Sequence, residues 1–168
     1  MSELPPLTPL ATAALHDGDP ERILQVQCGE GEGALFLSRE FPRASVRGVD
    51  TDEASIRAAQ GRVGLDPEGR VAFKVGGPGK LPFPDDHFDL VALLDAAPVP
   101  RELGRVLRPG GFLVVARTSG GVEEGLGARL RAWRLHRRGI EPIWTEAVGD
   151  GGYSVNRLRG GGPPVRAE

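Results

Sequence analysis

Three glycines at alternate positions, Gly29, Gly31 and Gly33, follow the strand-like run Arg22 to Gln27 and precede Ala34 to Phe41, a stretch with helical spacing. A strand–turn–helix junction of this kind offers unpaired backbone N–H groups to an anion or polar group, and glycine lets a ligand touch the main chain with no Cβ in the way. Asp50 closes the next strand-like run, 19 residues beyond Gly31, where a carboxylate comes within reach of a ribose diol. Glycine-rich turns also arise for local reasons, so each feature alone is a weak signal. Together on one strand–turn–helix–strand unit they point to a nucleotide-like ligand. Asp95, just past the apolar run Phe88 to Leu94, is the acidic group the same crevice could use as a base, or else a loop or helix-capping carboxylate.

The other reactive side chains form no constellation. His16, His87 and His136 are far apart in sequence and, with the lone Cys28, make no zinc set. His87 sits in the turn Pro84-Asp85-Asp86-His87 entering a strand, at the end of the sheet away from the crevice, and His16 lies where it could meet a helix dipole. Nothing nearby in sequence supplies a base for a Cys28 thiolate, so a small buried residue is expected there.

The elements that must position these residues alternate. Thr8-Pro9-Leu10 reads as an N-cap with Pro at the first helical position. Strands are expected at Arg22–Gln27, Ser45–Asp50, Val71–Val75, Phe88–Leu94 and Phe112–Ala116, with helices at 34–41, 52–64 and 100–107, and the turn Arg108-Pro109-Gly110-Gly111 before the fifth strand. Such alternation predicts a parallel sheet with right-handed crossovers. Leu126, Leu130 and Trp133 lie on one face of a helix ending near Gly139, its arginines mostly elsewhere, and the arginine face is expected to be solvated. Strands Pro142–Val148 and Tyr153–Leu158 flank Gly149-Asp150-Gly151-Gly152, a hairpin signal. The organisation expected is a helical lead-in at 1–21, one domain at 22–158 and a disordered tail at 159–168.

Composition sets bounds on these readings. Of 168 residues, 25 are Gly and 15 Pro, so whether the glycines are placed or scattered decides between order and low complexity. One cysteine excludes an internal disulfide and suits a reducing cytoplasm. No apolar run approaches the ~18 residues of a membrane span, so no membrane partner is expected. The net charge of −2 argues against a dedicated nucleic-acid binder, although residues 1–100 hold 16 acidic and 9 basic groups and residues 101–168 hold 7 and 12.

In ILQVQCGEGEGALFLSREFP, VRGVD, LPFPDDHFDLVALLDA and RELGRVLRPGGFLVVAR, taken in order, the sequence resembles the class I S-adenosylmethionine-dependent methyltransferases. The resemblance implies an α/β fold: a three-layer doubly wound sheet of seven strands in the order 3-2-1-4-5-7-6, the last antiparallel. It implies S-adenosylmethionine as cofactor and methyl transfer to an acceptor it does not identify. Cys28, Gly29 and Gly31 would line the methionine and ribose, and Asp50 would bind the ribose hydroxyls. Gln25, Gln27, Thr51 and Gly77 would complete the cofactor set, and Leu94 and Asp95 would approach the methyl. Laid on the pattern G-x-G-x-x-[GA], Gly29 to Ala34 would instead imply NAD.

The departures from the family pattern carry weight. Gln25 replaces an acidic residue, Gln27 replaces the first glycine, and Gly76-Gly77-Pro78-Gly79 stands where an acid usually meets the adenine. Each lost contact costs about 1–2 kcal/mol. The link Ala96-Ala97-Pro98-Val99-Pro100 is also short, leaving a site open to a large substrate, completed by a partner subunit or second copy, or no longer used. The alternative to an enzyme is therefore a non-catalytic binding or partner subunit of the same fold.

Overall fold

The alternating apolar segments join into one seven-stranded sheet. The structure, a computed structural model, describes residues 7–96 and 99–160. It runs α1 (Thr8–Ala14), β1 (Arg22–Val26), α2 (Glu32–Glu40), β2 (Ser45–Asp50), α3 (Glu53–Arg62), β3 (Val71–Val75), β4 (Phe88–Leu94), α4 (Leu103–Val106), β5 (Leu107–Arg117), α5 (Gly125–Arg137), β6 (Ile140–Val148) and β7 (Gly151–Leu158). The strand order is β3-β2-β1-β4-β5-β7-β6, as the resemblance implied. The first five strands are mutually parallel, and β7 is antiparallel to both β5 and β6.

Side chains alternate across a strand, so each strand serves two cores. Ile23, Val46, Leu90, Ala92 and Val114 pack with residues of α1, α2 and α3. Leu24, Val26, Val91, Leu93, Leu113 and Val115 pack with Leu103, Val106 and Leu135 of α4 and α5. β4 is buried from Phe88 to Leu93, which explains its almost continuously apolar run; the exception, Asp89, accepts from the Glu21 and Arg22 N–H groups and pairs with Arg108. Leu10, Ala13 and Ala14 place α1 within the first core.

The link from β3 to β4 holds no helix, and its Leu81 and Phe83 cover the sheet instead. Arg105 fixes that link by donating to the carbonyls of Leu81 (3.0 Å) and Phe83 (2.8 Å). Glu102 accepts from the Leu81 N–H at 3.1 Å and pairs with Arg105.

Four expectations need correction. β1 ends at Val26, because Gln27 has left the extended region at φ +57°. Thr8 is the first residue of α1 and Leu7 its cap. The helix expected at 100–107 shrinks to four residues: Leu107 is already extended and pairs with Phe88, so β5 takes in the Arg108-Pro109-Gly110-Gly111 turn through a register shift. The stripe of Leu126, Leu130 and Trp133 faces outward, and Leu135 is the buried residue of α5. Residues 1–6, Ala97 and Pro98, and the tail from 161 lie outside the described residues.

Candidate active site

The carboxyl ends of β1, β2 and β4 meet at the glycine turn. Gln27 and Gly29 both take left-handed backbone conformations there, at φ +57° and +53°. A ring of short bonds fixes the turn: Cys28 N–H donates to the Val49 carbonyl at 3.0 Å, and Gly31 N–H to the Cys28 carbonyl at 2.9 Å. Gly29 N–H donates to Asp50 Oδ2 at 2.8 Å, and Asp52 N–H to Asp50 Oδ1 at 3.0 Å. Asp50 is thus held by one backbone donor on each oxygen, and each oxygen keeps acceptor capacity toward the crevice.

The two turn glycines have different reasons. A Cβ at Gly29 would meet nothing within 4 Å, so its Cα borders open space. At Gly31, φ is +85° and a Cβ would lie 2.7 Å from the Phe73 ring, so the constraint is the packing of that ring. The same ring would clash with a Cβ at Gly48 on β2, at 2.5 Å. Phe73 is a wedge that seats the turn against the sheet. A glycine inside a strand run was the sequence signal for it.

Cys28 turns into this core: its Sγ lies 3.0 Å from where a Cβ would stand on Gly48, and the residue is buried. Burial and the negative charge of Asp50 push its thiol up to about 12, so the thiolate is not accessible near neutrality and only the Cys28 backbone is left to line the crevice. Gln27 points outward and is exposed. Gln25 is fully enclosed, its amide lying within 3.0 Å of where a Cβ would sit on Gly33, and its Oε1 has no hydrogen-bond partner. On the far side of Asp50, Thr51 and Gly77 are neighbours, 3.7 Å between Thr51 Cγ2 and a Cβ built on Gly77, and Gly76 N–H donates to the Asp50 carbonyl at 2.9 Å. Leu94, half-buried, borders the α1–α3 core.

Asp95 stands at the end of β4 with φ +53°. Both carboxylate oxygens are engaged: Oδ1 accepts from Thr118 N–H and Oδ2 from the Thr118 hydroxyl, each at 2.8 Å. That double contact braces the end of β4 against the chain leaving β5, and a proton taken up at Oδ2 would compete with the hydroxyl.

The histidines fall where chemistry at the crevice does not need them. His87 edges against Phe88, and burial with Arg22 and Arg47 holds its pKa below the usual histidine value. His16, just past the C-terminal end of α1, stacks on Trp144 and bonds the Tyr153 hydroxyl at 2.9 Å; Tyr153 donates in turn to Glu146. His136 lies 3.4 Å from Arg159. Sequence reasoning missed the clamp of Arg62 on Glu30 (3.0 Å) and Glu32 (3.5 Å), which spans from α3 to the turn. Among the described residues no group of His, Cys, Asp and Glu could hold a metal ion, and no helix is long and apolar enough to cross a membrane.

These features agree with the likenesses of the chain. A family model described as a methyltransferase domain matches residues 23–111, more than half of the sequence. A fatty-acid O-methyltransferase of Mycolicibacterium smegmatis is 36% identical over 111 residues, 62% of this chain and 39% of that protein. A phthiotriol/phenolphthiotriol dimycocerosates methyltransferase of Mycobacterium leprae is 40% identical over 103 residues, 57% of this chain and 37% of that protein. Among solved structures, a SAM-dependent methyltransferase from Aquifex aeolicus superposes with a TM-score of 0.73 at 19% identity, covering 93% of this chain and 94% of that one. With strand order 3-2-1-4-5-7-6 and this crevice, the chain belongs to the methyltransferase-domain family, in the class I S-adenosylmethionine-dependent branch. It spans about two fifths of the length of the two mycobacterial relatives. The dinucleotide alternative for Gly29 to Ala34 finds no counterpart in these likenesses.

Proposed function

We propose that the chain binds S-adenosylmethionine in the crevice around Asp50 and transfers its methyl to an oxygen of a lipid-like acceptor. The observation that carries the reading is the Asp50 carboxylate, held by Gly29 and Asp52 at the mouth of a glycine turn in a methyltransferase fold. The residues present fit the cofactor. Asp50 offers two oriented acceptors to ribose hydroxyls, Gly29 leaves its Cα face open, and the orphaned Gln25 Oε1 is a buried acceptor beneath the turn for the donors of an amino-acid moiety.

When bound, S-adenosylmethionine supplies a methyl on a sulfonium, an electrophile strong enough that alignment of the acceptor supplies much of the catalysis. The chain's part is to bind and orient. Asp50 and the Thr51–Gly77 edge hold the nucleoside side. Leu94 presents an apolar wall at the end of β4, and Asp95 keeps the ends of β4 and β5 at a fixed separation through Thr118. A carboxylate acceptor is already ionised near neutrality and needs no base, which agrees with an Asp95 engaged elsewhere. The acceptor class rests on the two mycobacterial relatives. Transfer of labelled methyl to a long-chain fatty acid, and its loss in Asp50→Ala, is the expected result; cofactor binding without transfer to either a fatty acid or a long-chain alcohol would overturn the acceptor assignment.

A second reading, a cofactor-free partner subunit, draws on the glycine-only edge at Gly76 and Gly77, which offers no side chain to an adenine amino group. Measurable methyl transfer that requires Asp50 would rule it out.

A further inference from the structure

Helix α5 sends apolar and cationic side chains to the same outer side. Its inward face is slight: Leu135 is buried, and Arg131 is tied to Glu123. Leu126, Leu130 and Trp133, at i, i+4 and i+7, form one stripe and are 81%, 45% and 53% exposed. At 100° per residue Arg129 and Arg134 fall on either side of that stripe. Arg137 closes its end, with its guanidinium 5.0 Å from the centroid of the Trp133 ring. α5 contains no acidic residue, and among the described residues no carboxylate pairs with Arg129, Arg134 or Arg137.

We propose that this face of α5 docks on an anionic lipid surface. Three large apolar side chains bordered by cations are what a helix lying in the plane of a bilayer interface requires. The leucines and tryptophan enter the boundary of the acyl chains while the arginines meet headgroup phosphates. A nucleic acid would satisfy the arginines but leave Leu126 and Leu130 against phosphate. A second copy, paired about a two-fold axis, would set arginine against arginine. The chain as a whole carries a net charge of −2, so the attraction is local to this face and not a general property of a basic protein. The surface lies on the bilayer and does not cross it, and the inference does not depend on methyl transfer.

The test uses the full chain without cofactor and vesicles of phosphatidylcholine, alone or with one third phosphatidylglycerol. Trp133 and Trp144 are the two tryptophans, so Trp144→Phe leaves Trp133 as the reporter. Binding to the anionic vesicles with a blue shift of Trp133 emission, weakened by salt, is the expected result. Arg129→Gln and Arg134→Gln each lower the partition coefficient about five-fold. Leu126→Gln with Leu130→Gln removes the blue shift while the melting temperature holds. The proposal is overturned by absence of binding to anionic vesicles, by binding indifferent to the leucine substitutions, or by tighter binding to an RNA homopolymer than to vesicles. Self-association that disappears in Leu126→Gln would overturn it as well, in favour of a second copy.

Discussion

Gln27 stands where the family places glycine, and its backbone keeps the glycine conformation at φ +57°. A left-handed conformation costs a residue with a Cβ about 1–2 kcal/mol. Gln27 recovers none of this through side-chain contacts, since it is exposed and forms no hydrogen bond among the described residues. Gln27→Gly removes that cost but gives the unfolded chain back about 0.4–1 kcal/mol of conformational freedom. The net gain is about 0.5–1 kcal/mol, a rise in melting temperature of roughly 1–4 °C for a chain of this size. Gln27→Ala trims the side chain yet keeps a Cβ at positive φ, so it should give no comparable gain. Urea unfolding of the three proteins, with unchanged slope, is the assay. If alanine stabilises as much as glycine, or if glycine destabilises, backbone strain at position 27 is not what the sequence departure costs.

Three further outcomes follow from the same geometry. Gly31→Ala meets both a positive φ and the Phe73 ring, and should lose about 2–3 kcal/mol in denaturant unfolding, whereas Gly29→Ala, with open space around it, should lose only about 1. Asp95→Ala breaks both contacts to Thr118 and should cost about 1–2 kcal/mol, Thr118→Val breaks only the hydroxyl contact and should cost about 1 kcal/mol, and the double variant should cost little more than Asp95→Ala alone; additive losses would show that the brace is absent. Burial raises the Asp17 carboxyl from 3.8 to about 7, so the folded state holds its proton between those values while the unfolded state releases it. That contribution to stability is therefore full below about pH 4 and declines up to about pH 7, by roughly 1.4 kcal/mol per pH unit. Asp17→Asn should flatten this slope in melts across pH 4–8.

Much of the scaffold was legible because its signals are local. The almost continuously apolar run of Phe88 to Leu93, broken by Asp89 alone, reads as a strand covered on both faces, and Gly149-Asp150 between two strand-like runs reads as a hairpin turn. The place of Asp50, at the end of β2 beside the glycine turn, was legible from its distance to that turn. What escaped depends on partners distant in sequence. The reason for glycine at 31 is the ring of Phe73, which only the pairing of β2 with β3 brings beneath the turn. Asp95 as a brace depends on Thr118, 23 residues on, at the end of the neighbouring strand. The face of α5 was misread for a different reason: periodicity shows that Leu126, Leu130 and Trp133 share a side, but not which side meets the sheet.

The proposed function stands or falls on whether the Asp50 crevice holds the nucleoside of S-adenosylmethionine. Calorimetric titration with S-adenosylhomocysteine tests it without any assumption about the acceptor. Wild type should give a saturable one-to-one isotherm, and Asp50→Asn, which keeps one acceptor but loses the charge, should bind roughly ten-fold or more weakly while still unfolding cooperatively. No heat at millimolar ligand, or equal affinity in the two proteins, would contradict the account.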